Sequence, residues 1–263
     1  MPSTIAIVMR AKNEMPHAGQ ALDALAKQEY RDFELHAVDS GSTDGTFEEL
    51  EQNADRLVRI EPKDYLPGKV LNAAIRDTSS DIVVLLNADA IPLANDWLAT
   101  LVQPILEGKA DITFGKQVPR PDARFIVAYD YERAYDPTNM HPGFFSAVAC
   151  AFRRTQWEHH PFPEEGYAED AAWAKACQAD GARIRFVPES VVEHSHNYTL
   201  QELYRKRYRQ AHVIGPGSVI QCAKEIARDF IHAGRRLALH TIPYNVAYRI
   251  TICLALRNGA NSK

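Results

Sequence analysis

Cysteine, excess charge and long apolar runs are all scarce in this sequence. Its 263 residues include four cysteines, none in a CxxC pair, so neither a disulfide framework nor a cysteine-based zinc site is predicted. The net charge of −4 lacks the basic excess of a general nucleic-acid binder, so no nucleic-acid partner is expected. The apolar run at residues 5–9 is too short for a signal-peptide core or for the ~20 residues that cross a bilayer. These absences predict a cytoplasmic globular protein.

The two familiar phosphate-binding loops are missing as well. No GxGxxG follows the first predicted strand, and no GxxxxGK[ST] occurs anywhere in the sequence. A bound nucleotide must therefore be held by a different arrangement.

Short β-branched runs alternate with helical patterns through the first half of the chain, which predicts an α/β fold with a mostly parallel sheet covered by helices. The predicted strands are residues 4–9, 34–38, 57–60, 81–86 and 111–114, and the predicted helices are 17–28, 46–52, 70–76 and 97–107. Beyond an irregular, aromatic-rich segment we predict a strand at 146–152, a helix at 170–179 and two short strands at 184–187 and 191–194.

Polar residues follow three of these strands, at positions 10–14, 39–45 and 87–89. Taken alone, the cluster at 39–45 is equally well explained as a turn whose side chains cap the next helix. In open parallel sheets, however, ligands bind beyond the carboxyl ends of the strands. Three polar strand ends on one edge therefore favour a ligand site.

The order and spacing of these segments resemble the family 2 nucleotide-sugar glycosyltransferases, whose fold is called GT-A. The resemblance covers about residues 4–200 and rests on RAKNE at 10–14, VDSGSTDGT at 38–46, GKVLN at 68–72, LNAD at 86–89 and AED at 168–170 followed by Trp173. The run VEHSHNYT at 192–199 further resembles bacterial enzymes often described as rhamnosyltransferases. The resemblance implies inverting transfer of a sugar from a nucleoside diphosphate donor to a hydroxyl of a glycan or lipid-linked glycan in surface polysaccharide synthesis.

The resemblance also implies a role for each cluster. Asp170 takes the place of the general base that removes the acceptor proton, and its acidic neighbour should raise its pKa. The implied contacts with the nucleotide sugar are made by Arg10, Lys12, Glu14, Asp39, Lys69, Asn72, Asn87 and Ala88. The implied contacts with acceptor or phosphate are made by Glu169, Trp173, His196 and Tyr198.

A divalent cation, Mn²⁺ or Mg²⁺, is the implied cofactor. Asn87-Ala88-Asp89 stands where the family has Asp-x-Asp, so Asp89 keeps a charged oxygen ligand while Asn87 does not, which predicts weaker metal binding. His194 is the implied further ligand. His196 would share its face of a strand and is almost as good a candidate, so the choice between them stays open.

The same residues also fit other interpretations. Glu169 and Asp170 would also be explained as acids stabilised by the dipole at a helix start. The alternative function is a catalytically weak module that binds a sugar nucleotide or glycan, and only Asn87 supports it. A zinc hydrolase built on His194 and His196 lacks further clustered ligands such as HExxH.

The last quarter of the chain differs in composition. Residues 203–257 contain ten Lys and Arg against two acids, although the whole chain is negative. We therefore predict a GT-A domain at 1–200 and a basic helical extension at 201–263. The extension would bind the anionic inner face of the plasma membrane, or else cover the sheet or form a homodimer.

Overall fold

The computed structural model describes residues 4–141 and 143–262. Within them the strands are β1 Ile5–Ala11, β2 Phe33–Asp39, β3 Arg56–Arg59, β4 Ile82–Asn87, β5 Ile91–Pro92, β6 Ile112–Val118, β7 Ala149–Arg153 and β8 Ile184–Glu193. The helices are α1 His17–Ala26, α2 Thr46–Asn53, α3 Pro67–Arg76, α4 Trp97–Leu106, α5 Phe125–Ala134, α6 Arg154–His159, α7 Glu169–Ala179, α8 Leu200–Ile214, α9 Val219–Arg235 and α10 Ile242–Asn261.

The eight described strands form one sheet in the order β3-β2-β1-β4-β7-β6-β8-β5. Strands β3, β2, β1 and β4 run parallel, whereas β7 lies antiparallel between β4 and β6. Strands β6 and β8 are again parallel. The predicted α/β fold with a mostly parallel sheet is therefore confirmed.

The central strands are apolar on both faces because each face is covered. Ile7 of β1 packs in the same core cluster as Leu22 of α1 and Leu101 of α4. The next residue, Val8, faces the other side and packs in the cluster that includes Leu71 of α3. This alternation with period two buries both faces of β1 and fixes its register between β2 and β4.

That register brings polar strand ends together. Arg10 in β1 is paired with Asn87 in β4, and the next residue, Ala11, is paired with Asp39 in β2. The carboxyl ends of three neighbouring strands therefore supply polar residues to one edge of the sheet, as the sequence predicted.

The chain divides into two compact units. The first contains the residues up to Val118 together with Ala134–Glu165 and Glu169–His194, and it holds the whole sheet. The second contains Pro119–Arg133, Gly166–Ala168 and the residues from Ser195 onward. This division differs from the predicted boundary at residue 200.

The difference arises because α5 packs with the C-terminal helices. Ile126 and Val127 share an apolar cluster with Leu203 and Tyr248. In addition, Arg249 on α10 forms an ion pair with Asp130 on α5, with a nitrogen–oxygen distance of 2.6 Å. Sequence patterns predict no helix at α5, only an irregular segment between the strands at 111–114 and 146–152.

Strand β8 also differs from its prediction as two short strands. In its pairing with β6, Val187 lies opposite Gly115 and Val191 lies opposite Lys116, so residues 188–190 are passed over. The irregularity lets the strand continue through Pro188, which cannot donate to the ladder. It also needs Gly115, because a Cβ there would lie 2.5 Å from the Ser190 carbonyl oxygen.

Candidate active site

Two acids open helix α7. Glu169 is buried, and its Oε1 accepts a hydrogen bond from Arg10 Nη1 at 3.1 Å. Arg10 also reaches the side-chain oxygen of Asn87 from Nη2, at 3.5 Å. The residue before the pair, Ala168, has φ of 74°, a left-handed conformation that is uncommon outside glycine. The end of β1 is thereby tied to the start of α7.

Asp170 is the acid of this pair that remains partly accessible. Burial raises the pKa of its carboxyl group, and the neighbouring charge of Glu169 raises it further. Backbone N–H groups of Ala171 and Ala147 donate to it, and the Arg10 charge opposes the rise. A carboxylate with a raised pKa holds an abstracted proton more firmly, which suits a general base.

The Arg10 guanidinium is surrounded by side chains of the protein. Burial alone would lower the pKa of its guanidinium, but Tyr65, Glu169 and Asp170 together raise it, so the side chain stays a cation. Asn87, the departure from the family pattern, gives this cation a neutral acceptor. The predicted contacts of Arg10 and Asn87 with a nucleotide stay predictions.

A second pair lies at the ends of β4 and β8. Asp89 follows β4 by two residues, and His194 directly follows β8, where its backbone N–H donates to the carbonyl of Val118 at 2.9 Å. His194 Nε2 lies 3.4 Å from Asp89 Oδ2, and both side chains are buried. A carboxylate oxygen and an imidazole nitrogen at this separation can both ligate one cation such as Mn²⁺.

Gln117 orients the histidine, a role that sequence patterns did not reveal. Its Oε1 lies 2.8 Å from His194 Nδ1, and its Nε2 donates to Ser146 Oγ at 2.8 Å. Because the amide oxygen faces the ring, this contact favours a proton on Nδ1, and in the neutral ring Nε2 is then the nitrogen that can bind a metal. Metal-binding histidines need this tautomer, and a second polar group commonly fixes it. The only signal in the sequence was a polar residue near a strand end.

Asp39 is fully buried at the end of β2, where the following turn begins. Its carboxylate accepts hydrogen bonds from the backbone N–H groups of Gly41, at 3.0 Å, and of Ser42, at 3.1 Å. Arg59 Nε lies 3.4 Å from the same oxygen. These bonds hold the turn itself and do not cap α2, whose N-cap residue, Gly45, makes no side-chain cap hydrogen bond. The predicted contact of Asp39 with a nucleotide stays a prediction.

A cleft of about 480 Å³ lies beside β2, β3 and α3. Apolar side chains line much of it, among them Val38, Val58 and Ile60, and Lys69 stands among the charged residues of its lining. Arg59 adds a second cation to the lining, and Glu61, Asp64 and Asp77 add three acids. The predicted contact of Lys69 with a nucleotide stays a prediction.

Asn72 has a different setting. Its amide nitrogen donates to the carbonyl of Phe162 and to Glu164 Oε1, at 2.9 and 3.0 Å. Its amide oxygen accepts from the Trp157 indole and from the Phe162 backbone, at 2.8 and 2.9 Å. Because Asn72 fastens the loop after α6 to α3, its predicted nucleotide contact would need one of these bonds to break.

Three further predicted contacts lie near the end of β1. Lys12 is exposed, and Glu14 is half-buried with its backbone N–H donating to Thr46 Oγ1 at 2.9 Å. Ala88 is buried, and its backbone N–H donates to the carbonyl of Arg10 at 3.1 Å. Their contacts with a nucleotide stay predictions.

The acceptor contact predicted for Trp173 needs correction. Its side chain is only 1% exposed, packs against Phe152 and Phe162, and donates from the indole N–H to the carbonyl of His160. Trp173 therefore supports α7 from the core. His196 and Tyr198 lie in the second unit, where their rings stack with centroids 4.9 Å apart, and their predicted contacts stay predictions.

Comparison with known proteins agrees with this arrangement. Residues 6–161 match the family described as Glycosyl transferase family 2. The O-antigen chain rhamnosyltransferase RfbN of Salmonella typhimurium is 28% identical, over 81% of this chain and 71% of its own. The O-antigen chain rhamnosyltransferase WbaN of Salmonella anatum is 26% identical, over 89% and 77%.

A solved structure has the same fold. The mannosyltransferase PcManGT from Pyrobaculum calidifontis, in complex with GDP-Man and Mn²⁺, aligns with a TM-score of 0.63 and 24% identity. The alignment covers 100% of this chain and 77% of that one. With an α/β sheet, polar strand ends and a family match over more than half its length, the chain belongs to the family 2 glycosyltransferases, which are inverting enzymes of GT-A fold.

Proposed function

We propose that this chain transfers a hexosyl or deoxyhexosyl group from a nucleoside diphosphate-sugar to a glycan hydroxyl during synthesis of a bacterial surface polysaccharide. Family membership supports the inverting transfer. The two O-antigen rhamnosyltransferases of Salmonella support a deoxyhexose and a polysaccharide acceptor.

The carboxyl group of Asp170 carries the proposal. Its side chain is partly exposed, and burial together with the charge of Glu169 raises its pKa. Glu169 is instead buried and ion-paired with Arg10. Asp170 is thus accessible to an acceptor hydroxyl, while Glu169 beside it is fixed by its ion pair. This arrangement suits removal of a proton from a hydroxyl by Asp170.

In the proposed step, the acceptor oxygen attacks the anomeric carbon of the donor from the face opposite the diphosphate. The new carbon–oxygen bond forms as the bond to the diphosphate breaks, and its electron pair leaves on a phosphate oxygen. The hydroxyl proton passes to a carboxylate oxygen of Asp170. One displacement of this kind inverts the anomeric configuration.

The donor set of Asp89 and His194 fits a divalent cation, since a carboxylate oxygen and an imidazole nitrogen face each other in a buried site. We assign Mn²⁺ or Mg²⁺ to these two residues, with His196 still the alternative to His194. Mn²⁺ bound to the related mannosyltransferase supports this choice. Such a cation would neutralise charge on the departing nucleoside diphosphate.

The acceptor proposed here is a glycan or a lipid-linked glycan, and the enzyme acts as a peripheral protein at the inner face of the plasma membrane. None of the described helices combines the length and hydropathy of a membrane span. The basic composition of residues 203–257 supports attraction to anionic lipid.

The test is sugar transfer by Asp170→Asn across a panel of nucleoside diphosphate-sugars with Mn²⁺ or Mg²⁺. The amide keeps the size of the side chain but cannot take the proton, so turnover falls by about 10²–10⁴-fold while donor affinity, measured by calorimetry, stays near wild type. Asp180→Asn, at an exposed position just beyond α7, is the matched control and keeps full activity. Near wild-type turnover of Asp170→Asn would remove this residue from the mechanism.

A further inference from the structure

Helix α9 exposes an apolar face to solvent. Ile220 is 72% exposed and Ile231 is 58% exposed, and Val219 and Phe230 are exposed beside them. The exposed Ala223 and Ala227 continue the same stripe at helical spacing of three and four residues. Single exposed apolar residues are ordinary, but a continuous stripe along a helix marks an interaction surface.

The stripe continues past the end of α9. Leu237 is 89% exposed and has φ of 54°, so the chain turns sharply there with an apolar side chain almost entirely in solvent. Leu239 follows and is also exposed. We define the α9 surface as the exposed apolar residues Val219, Ile220, Ala223, Ala227, Phe230, Ile231, Leu237 and Leu239.

Cations border this surface. Lys224, Arg228, Arg235 and Arg236 are exposed, whereas no acid is exposed among residues 219–240, all of which the structure describes. The helical positions of Lys224, Arg228 and Arg235 place them along one edge of the stripe. Arg228 forms an ion pair with Glu225, and Arg236 lies 3.8 Å from Glu132.

The acids of α9 face inward. Asp229 is buried and pairs with Arg249 at 2.8 Å, and half-buried Glu225 also accepts from Arg133 at 2.7 Å. His232 stacks on Tyr129 on this inner side, with ring centroids 3.7 Å apart. The helix is therefore anchored on one face by ion pairs and stacking, which leaves the apolar and cationic residues on the other.

We infer that the α9 surface docks in the plane of an anionic lipid bilayer, with the apolar stripe in the headgroup and upper acyl layer. Apolar burial and attraction between cations and lipid phosphates act together in helices of this composition. A symmetric dimer through the same face would bring like cations of two copies together with no exposed acid on the helix to pair with them. Charge complementarity therefore selects the bilayer as the occupant.

The experiment is flotation of the intact protein with vesicles of phosphatidylcholine alone or with equal parts phosphatidylglycerol. Wild type should float with the anionic vesicles at low salt, and binding should fall as salt rises because exposed charges are screened beyond a Debye length of about 8 Å near physiological ionic strength. Absence of binding at low salt, or equal binding to both vesicles, would overturn the proposal.

Two variants and their controls locate the contact. The triple variant Ile220→Ser, Phe230→Ser, Ile231→Ser should lower vesicle affinity by about a hundredfold. Lys224→Gln with Arg235→Gln should lower it about fivefold for each cation. The controls are Leu93→Ser with Leu106→Ser, at other exposed leucines, and Lys27→Gln with Lys175→Gln, at other exposed lysines. Wild-type flotation by the triple variant would overturn the proposal.

Two further measurements separate the outcomes. A concentration-dependent dimer in analytical ultracentrifugation that Phe230→Ser abolishes would assign the α9 surface to a second copy and overturn the bilayer proposal. Transfer to a lipid-free acceptor should be unchanged in both α9 variants, because none of their residues belongs to the proposed catalytic machinery. If the wild-type protein binds vesicles but transfers no sugar, the proposed function is contradicted and the docking proposal is not.

Discussion

The two units of this chain depart from the usual distribution of side chains in different ways. The first buries charge, since Arg10, Glu169, Asp89 and His194 are all buried or nearly so and stand in pairs. The second exposes apolar side chains along α9, with its acids held inside. Buried charge and exposed apolar stripes both cost stability. The buried pair Asp229 and Arg249 of the second unit anchors α9, whereas the buried pairs of the first unit lie at the ends of strands and at the start of α7. The first unit has the features of a catalytic centre, and the second has those of a docking surface.

The assignment of a catalytic centre to the first unit would be contradicted most clearly if the buried pair Asp89 and His194 did not bind metal. We expect Asp89→Ala to weaken metal-dependent binding of a nucleoside diphosphate by about a hundredfold or more, because a lost ligand costs more than a lost supporting residue. Asn87→Ala is the comparison and should have a much smaller effect, since its oxygen carries no full charge. Calorimetry with Mn²⁺ and with EDTA measures both. Affinity that changes with neither Asp89→Ala nor EDTA would indicate a site that works without metal.

The orienting residue Gln117 gives a finer test of the same site. Gln117→Leu removes the acceptor that fixes the ring proton of His194, and we expect Mn²⁺ affinity to fall by about 10–100-fold. Gln117→Glu keeps an acceptor oxygen at that position and should recover most of the loss. Electron paramagnetic resonance of free and bound Mn²⁺ reports the affinity directly. Equal losses in both variants would point to packing around Gln117 instead of the hydrogen bond.

The acid pair of α7 allows a test by pH. Because burial and the charge of Glu169 raise the pKa of Asp170, turnover should fall as pH decreases through a value above the ~3.9 of an ordinary aspartate. Glu169→Gln removes that charge and leaves Arg10 as a nearby cation, so the acid limb of the pH–rate profile should move to lower pH. The plateau rate should fall only a few-fold, since the base becomes weaker.

The control for this profile is Glu165→Gln, which removes an exposed acid four residues earlier. Its acid limb should coincide with that of wild type. An acid limb that stays in place, or moves to higher pH, in Glu169→Gln would show that Glu169 does not act on the base.

The sequence predicted the fold and the edge that carries the site because both depend on local patterns. Apolar runs marked the strands around Ile7 and Val84, and polar residues marked their ends at Arg10 and Asn87. The family was confirmed, since its segments are short and fixed in order. Asp170 was singled out by the resemblance of AED at 168–170 to the family pattern, and its role as the base is still a proposal.

The remaining features depend on contacts between distant residues. Helix α5 was missed because its support comes from Tyr248 and Arg249, more than a hundred residues away. Trp173 matched a family position, yet its buried packing became visible only when the core was assembled. Gln117 acts through a hydrogen bond to a residue 77 positions away. Local patterns carry no information on such pairings, so the supporting residues of the site could not be derived from them.

The smallest expected effect concerns the stability of the first unit. The Asp111 carboxylate accepts two side-chain hydrogen bonds from Arg183, both at 2.9 Å, at the point where β6 and β8 begin side by side. Hydrogen bonding by Arg183 lowers the pKa of Asp111 to about 2, against partial burial, which acts in the opposite direction. Arg183 is more than half exposed, so solvent screening reduces the value of the pair. We expect Asp111→Asn to lower the free energy of unfolding by about 1 kcal/mol at pH 7.

The pH dependence gives the sign of this contribution. A depressed pKa in the folded state stabilises the protein above the unfolded pKa of ~3.9, and the stabilisation is lost as pH falls from there to about 2. Urea unfolding of wild type and Asp111→Asn should therefore differ at pH 7 and converge as the solution is acidified through that interval. Asp23→Asn, at an exposed position on α1, is the control and should follow wild type throughout. A difference that persists unchanged at low pH would assign the loss to the hydrogen bond that the Arg183 backbone N–H donates to Asp111 Oδ2, at 3.0 Å, and not to charge.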